Sequence, residues 1–231
     1  FYSPDNRYVL VYNGEIYNYV EIREELQKQG YSFKSNTDTE VVLYSYLAYG
    51  KSMLNKIRGM FAFAIWDTEE KKLFGARDHL GIKPFLYSFV DGSFIFCSEL
   101  KGILASSLIN SNRLSRESIS SYQSLGHTIA PYTIMDKVKA LRSGYSFTYC
   151  NGKFKDEPYW FPEHISPMKT SEISYDEVTS HVKKLVLQSV NEELMSDVPL
   201  GVFQSGGLDS AIITAAMTLG GAKQIKTFTI G

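Results

Sequence analysis

The chain has 231 residues, with 24 Lys plus Arg against 25 Asp plus Glu and a formal net charge of −1, so charge offers no drive toward nucleic acid or an anionic membrane. With 44 % hydrophobic and 21 % charged residues the composition is globular rather than disordered, and no apolar run approaches the roughly 18 residues of a membrane span. At about 150 residues per domain the length predicts about one and a half domains, the arithmetic of an incomplete chain.

Phe1 and the polar, turn-forming residues behind it match neither a signal peptide nor an initiation site, so an upstream segment is expected. Tyr8 to Tyr12 (YVLVY) is a continuous apolar and aromatic run that predicts a buried strand, ended by the Asn13-Gly14 dipeptide. A helix follows, with Asn18 as cap, Glu21 completing a capping box, Ile22 and Leu26 on one face and Gly30 as its stop. A second helix repeats the pattern: Thr37 caps, Glu40 is the box partner, Leu43 and Leu47 share a face, and Gly50 ends it. Short strands are predicted at Met60 to Trp66, Lys72 to Ala76, Phe85 to Phe89 and Ser93 to Cys97. Asp91-Gly92 joins the last two as a hairpin turn, and a short helix runs from about Glu99 to Leu104. Residues 106 to 121, rich in Ser and Asn, read as an irregular excursion. A strand around Ser146 to Tyr149 and a second hairpin turn at Asn151-Gly152 complete a first region that is α+β, with antiparallel strands dominating.

After Trp160 the composition shifts, and residues 161–173, with two prolines and no periodicity, read as a linker. Ser174 caps a long helix with Glu177 as its box partner, and Val178, Val182, Leu185, Val186 and Leu194 form one apolar stripe along it. A strand (Leu200 to Phe203), a glycine turn, a helix (Asp209 to about Leu219) and a strand (Ile225 to Ile230) make one βαβ unit, which implies a parallel sheet. Two parallel strands cannot cover both faces, so this second domain is expected to continue past residue 231. Cys97 and Cys150 are the two cysteines, with no C-x-x-C spacing. The four histidines (His79, His127, His164, His181) are isolated, which argues against a zinc site. A reducing cytoplasm is the default compartment.

Two segments carry chemistry. Ser205-Gly206-Gly207-Leu208-Asp209-Ser210 lies between a buried strand and a helix start. A plain Gly-Gly turn before an Asp-capped helix is one reading. The other is a phosphate cradle: glycines admit close backbone approach, N–H groups at a helix start bind phosphate, Ser205 and Ser210 add hydroxyls, and Asp209 can hold Mg²⁺. No Lys follows the glycines, so it is not a Walker A loop. Asn13-Gly14-Glu15 reads either as an ordinary turn or as an oxyanion hole built from a side-chain amide and a glycine N–H. Asp38 is either a first-turn helix charge or the acceptor of a ligand ammonium.

The order S-G-G-x-D-S resembles the loop of enzymes that cleave ATP between its α- and β-phosphates. NGEIYN (Asn13 to Asn18), TDTEV (Thr37 to Val41), RGMFAFAIW (Arg58 to Trp66), ARDHLGIKP (Ala76 to Pro84), SELKGIL (Ser98 to Leu104) and SDVPLGVFQSGGLDS (Ser196 to Ser210) occur in that order. Together they resemble the glutamine-dependent asparagine synthetase family over essentially the whole chain. The resemblance implies an N-terminal-nucleophile αββα sandwich over 1–160, a class II glutamine amidotransferase domain lacking its first segment. It implies the start of an α/β, ATP-pyrophosphatase-like domain (the adenine-nucleotide alpha-hydrolase type) over 174–231. Asn13 and Gly14 would form the oxyanion hole, and Glu15 and Asp38 would bind the backbone groups of glutamine. Gln204, Ser205, Gly206, Gly207, Asp209, Ser210 and Ile230 would hold ATP, with Mg²⁺ on Asp209. Glutamine, aspartate and ATP would be the substrates, and a homodimer is the assembly it allows.

The family's nucleophile is an N-terminal cysteine whose own α-amine is the base. Cys97 and Cys150 cannot replace it, because their α-nitrogens lie in peptide bonds, and Cys97 is expected in a core strand. Arg77 and Asp78 are expected to form a structural ion pair near a turn. Gln204 stands where an aliphatic residue is usual, and Ala211 where a second serine is common. The resulting expectation is an internal fragment of a glutamine-hydrolysing asparagine synthase, itself inactive. Amidation of another carboxylate, such as a surface sugar acid, and a non-catalytic glutamine- or nucleotide-binding module are the alternatives.

Overall fold

The computed structural model describes residues 1–106, 108–109, 113–162, 173–196, 199–222 and 224–230. The chain divides into two compact units, Phe1–Ile165 and Ser166–Gly231. Most of the expected linker, residues 163–172 with His164, lies outside the described residues.

The first unit holds two antiparallel sheets. Five strands, β1 (Tyr8–Ile16), β2 (Gly59–Asp67), β3 (Lys72–Arg77), β7 (Tyr145–Cys150) and β8 (Lys153–Pro158), pair in the order β1-β2-β3-β7-β8. The second sheet contains β4 (Leu86–Val90), β5 (Ser93–Cys97) and β6 (Lys139–Ala140), in the order β5-β4-β6. Strand periodicity sorts β2 into two faces. Phe61, Phe63 and Ile65 join a core with Ile22 and Leu26 of α1 (Tyr19–Lys28) and Val41 and Leu43 of α2 (Asp38–Tyr49). Ala62 and Ala64 face the other way, into a core shared with Phe85, Tyr87 and Phe147, against which Trp66 packs. Behind the second sheet, Ile103 of α3 (Leu100–Ala105) meets Leu86, Val90 and Ile95. Helices, sheet, sheet and helix therefore stack as the expected αββα sandwich.

Three expectations differ from what forms. Asn13-Gly14 does not end β1: the strand runs on to Ile16, with Asn13 opposite Ala62 and Gly14 opposite Phe61. Asn18 and Thr37 make no side-chain cap. The amide of Asn18 instead donates to the Lys56 carbonyl at 2.9 Å and accepts from the Arg58 N–H at 2.8 Å. Part of the expected irregular excursion is a helix, α4 (Arg116–Leu125), capped by Ser115 on the Ser118 N–H and stopped by Gly126 in the left-handed conformation. Both hairpin turns form as read, with positive φ at Asp91, Gly92, Asn151 and Gly152, the conformation that a two-residue turn demands.

The second unit contains α5 (Tyr175–Glu193), β9 (Gly201–Phe203), α6 (Leu208–Leu219) and β10 (Lys226–Phe228), with β9 and β10 parallel as expected. The Ser174–Glu177 capping box is present. Val190 of α5 packs with Ala216 and Met217 of α6, joined by Val186 and Leu194. Val178, Val182 and Leu185, the rest of the predicted stripe, are exposed. Among the described residues no helix is long and apolar enough to cross a membrane.

Glu40 shows how sequence and packing compete in the first unit. It is fully buried in α2, where a carboxylate is costly unless its oxygens are satisfied. Its oxygens accept from the Lys34 N–H at 3.0 Å, the Ser35 N–H at 2.8 Å and the Ser35 hydroxyl at 2.7 Å. Burial pushes its carboxyl up, but these donors outweigh burial and hold it below its ordinary 4.5. Replacing Glu40 by Gln is expected to cost about 2 kcal/mol of stability at pH 7, measured by urea unfolding. Because the folded carboxyl titrates low, that stabilisation is complete above pH 4.5 and is lost as the pH falls through the folded value. Wild type and variant should therefore converge in acid.

Candidate functional site

β1 is an edge strand of the larger sheet. Its first residues are covered by the chain's own start, where Leu10 N–H donates to the Phe1 carbonyl at 2.7 Å. Beyond that point β1 alternates: Tyr17 N–H donates inward to the Arg58 carbonyl at 2.8 Å, while Ile16 N–H donates outward to Asp38 Oδ2 at 3.0 Å. By that period of two, the Gly14 N–H also faces outward from the sheet. A side chain at Gly14 has no room, since a Cβ would lie 2.3 Å from the Met60 carbonyl oxygen.

The side chains follow the same alternation. Asn13 faces the second sheet, where its Nδ2 donates to Ser98 Oγ at 3.2 Å, just past the end of β5. Glu15, two residues on, shares that face. Together with Val11, Ala62 and Phe96, Asn13 and Ser98 line a cleft of about 220 Å³. Tyr12 faces the helices, and its hydroxyl donates to Asp38 Oδ2 at 2.6 Å. Burial, then the hydrogen bond to Asp38, pushes the Tyr12 phenol far above its ordinary value, so it stays a proton donor.

Asp38 is the first residue of α2 and follows a turn that is itself tied down. Glu40 holds the backbone of Lys34 and Ser35, and the Arg23 guanidinium donates to the Ser35 carbonyl at 2.6 Å and to Asn36 Oδ1 at 2.9 Å. The amide of Asn13 and the N–H of Gly14 thus belong to one open strand edge, which Asp38 joins two residues further on, at the Ile16 N–H. Such a set can stabilise an oxyanion and receive an ammonium. Ser98 and Tyr12 had no role in the sequence reading. They lie 85 and 26 residues from the partners they hold, and no local pattern marks such pairs.

The residues around this edge are structural. Asp78 is buried and accepts from the N–H groups of Phe61, Leu80, Ile82 and Lys83. Arg77 donates to the carbonyls of Gly81, Lys83 and Leu141, each at 2.7 Å. The hydrogen bonds of both side chains go to backbone, rather than into the expected ion pair. His79 packs against the rings of Phe61, Tyr159 and Trp160, and burial lowers its imidazole from the ordinary value. Cys97 is half-buried, with its Sγ against Gly102 of α3. Two larger clefts, of about 500 and 470 Å³, lie around Thr128 and Ala130 and contain none of the predicted site residues.

In the second unit the glycine loop joins β9 to the 12-residue helix α6. Gly206 has φ +79°, the left-handed region that favours glycine. Gly207 caps α6. Ser205 Oγ and Ser210 Oγ lie 3.2 Å apart, and Ser210 donates to the Gly207 carbonyl at 3.0 Å. Asp209 is exposed in the first turn of the helix. A Cβ at Gly206 would meet nothing within 4 Å, and one at Gly207 only Ser205 Oγ at 3.4 Å, so the loop backbone is open to an incoming anion. Gln204 is turned away: its Oε1 accepts from the Thr214 hydroxyl at 2.6 Å. Ile230 lies past β10 and is 95 % exposed. No cluster of three metal-ligating side chains occurs among the described residues.

Residues 1–160 match the family described as a glutamine amidotransferase domain, and residues 181–231 the family described as asparagine synthase. Asparagine synthetase (glutamine-hydrolyzing) 1 of Bacillus subtilis is 38 % identical over 98 % of this chain and 35 % of that protein. Asparagine synthetase (glutamine-hydrolyzing) 3 of the same organism is 39 % identical over 90 % of this chain and 33 % of its own length. Amidase chyE of Penicillium rubens is 30 % identical over 92 % of this chain and 31 % of its own length. The chain thus spans about a third of the length of these curated relatives.

The tight seat of Gly14 gives a direct test of the strand edge. Gly14→Ala is expected to lose about 1–3 kcal/mol by overpacking against Met60 and Phe61. Thermal unfolding measures the loss, and hydrogen exchange should report faster opening at the Ile16 amide.

Proposed function

The chain belongs to the glutamine amidotransferase domain family, and we propose that it is part of a longer, cytoplasmic asparagine synthase that hydrolyses glutamine. Residues 1–160 would be its glutaminase domain, 161–173 a linker, and 174–231 the start of its ATP-binding domain. One observation supports this reading: an amide, a glycine N–H and a carboxylate are set along one open strand edge, in the same chain as a glycine-rich loop between a parallel strand and a helix start.

Glutamine lies along the open edge of β1, with Glu15 and Asp38 holding its backbone groups. Asn13 Nδ2 and the Gly14 N–H donate to the oxygen of its side-chain amide as that carbon becomes tetrahedral. Ser98 fixes the Asn13 amide for this task. The attacking group is the N-terminal cysteine that the family resemblance implies, which is not among these 231 residues. Hydrolysis leaves glutamate and passes ammonia to the second domain.

There the N–H groups of Gly206 and Gly207 and the hydroxyls of Ser205 and Ser210 hold the pyrophosphate of ATP at the positive end of α6. Gln204, just past β9, and Ile230, past β10, complete the nucleotide contacts. A lone aspartate suits Mg²⁺, which takes most of its ligands from water and phosphate. When bound on Asp209 it would neutralise phosphate charge. ATP activates the aspartate carboxylate as β-aspartyl-AMP, and ammonia displaces AMP to give asparagine. Amidation of a different carboxylate, such as a surface sugar acid, is the second reading.

Asp209→Asn in the full-length protein is expected to abolish aspartate-dependent ATP–pyrophosphate exchange while glutamine hydrolysis persists. Loss of both activities together would count against two separate sites. Exchange with another acid, and none with aspartate, would replace asparagine synthesis by the second reading. Asn13→Ala should lower kcat/KM for glutamine about 100-fold, as loss of one oxyanion donor does elsewhere, and spare synthesis from free ammonia. A wild-type protein with neither activity would leave only a binding module.

A further inference from the structure

A carboxylate at the start of a helix can rotate and present either oxygen to a ligand, so a site that depends on Asp38 needs something to fix it. Its Oδ2 accepts two hydrogen bonds, from the Tyr12 hydroxyl at 2.6 Å and the Ile16 N–H at 3.0 Å. Those two donors fill the in-plane acceptor capacity of one carboxylate oxygen. Oδ1 has the Thr39 hydroxyl at 3.4 Å, at the long limit of a hydrogen bond, and keeps room for a further donor.

The phenol itself is held rigidly. Tyr12 packs against the core that contains Leu10, Ile16 and Val41, and its hydroxyl is kept protonated by burial and by Asp38. A short bond from a neutral donor to a carboxylate is among the stronger hydrogen bonds in proteins. The Ile16 N–H belongs to β1 and cannot turn without breaking the strand.

We propose that Tyr12 is a positioning residue of the glutamine site, engaging Oδ2 of Asp38 so that Oδ1 is the oxygen presented to the ligand's α-ammonium. This rests on the reading of Asp38 given above. Tyr12 touches no reacting atom; it acts through Asp38. The consequence is selective. Ligands that carry an α-ammonium depend on Tyr12, and amides that lack one do not.

The test is steady-state hydrolysis by the full-length enzyme of two amides: glutamine, and 5-amino-5-oxopentanoate, which is glutamine without its α-amino group. Tyr12→Phe keeps the ring and removes the donor. It is expected to raise KM for glutamine about tenfold, the scale of one hydrogen bond to a charged group, with kcat changed by less than about twofold. For the deaminated amide, kcat/KM should stay within about twofold. In an Asp38→Asn background, Tyr12→Phe should add little, because the group it acts through is already altered.

An unchanged KM for glutamine, or an equal loss on both amides, would overturn the proposal, the second by revealing general disruption of the fold. Should Tyr12→Phe fail to fold, 3-fluorotyrosine at position 12 keeps the shape and strengthens the donor. It should then lower KM for glutamine alone, and an unchanged ratio between the amides would refute the role. A wild-type enzyme that hydrolyses no glutamine would remove the functional reading and the proposal together. That result is distinct from an active wild type with an indifferent variant.

Discussion

The antiparallel register of β1 on β2 decides where everything else in the first unit lies. Nine pairs run from Tyr8 opposite Asp67 to Ile16 opposite Gly59. That register sends Tyr12 toward the helices, Asn13 toward the second sheet and the Gly14 N–H out of the edge. A slip of one residue would exchange the two faces and scatter the three groups. The start of the register is pinned by Arg7, which donates to Asp67 through Nε at 3.1 Å and Nη2 at 2.9 Å. Burial alone would raise the Asp67 carboxyl. Arg7 and the N–H groups of Glu70 and Glu69 prevail and hold it at about 2, so the clamp stays charged through the working pH range.

Both candidate sites use backbone N–H groups that the fold leaves pointing outward, and they obtain them differently. In the first unit the groups come from the unpaired side of an edge strand. In the second they come from the start of α6, just after the parallel strand β9, where open α/β sheets commonly bind ligands. The supporting interactions differ too. Asp38 and Asn13 are steadied by residues distant in sequence, whereas Ser205, Gly207 and Ser210 bond one another within six residues.

That difference explains what could be read from the sequence. The Ser174–Glu177 box, the turns at Asp91-Gly92 and Asn151-Gly152 and the glycine loop are local, and each appears where its residues place it. The alternation in β2 was legible as a strand, though not as a two-faced one whose alanines meet a second sheet. Asn13-Gly14 has the composition of a turn, but pairing with Ala62 and Phe61 overrides it. Asn18, Thr37 and Glu40 have the spacing of caps. Yet Asn18 bonds the chain near Lys56 and Glu40 the turn before α2, partners that helix spacing does not mark. The strand-edge groups Asn13, Gly14 and Asp38 could be named from local composition; their supports, Tyr12 and Ser98, emerge only once β1, β5 and α2 are assembled.

The division into two units has a spectroscopic corollary. Both tryptophans of the chain, Trp66 and Trp160, belong to Phe1–Ile165, one against the core between the sheets and the other edge-on to His79 at 5.2 Å. Ser166–Gly231 has none. Tryptophan emission therefore reports on the sandwich alone, and in this chain the melting of the glycine-loop unit is optically silent in that channel. A comparison of emission with far-ultraviolet dichroism, which the helices of both units share, separates the two transitions without any label.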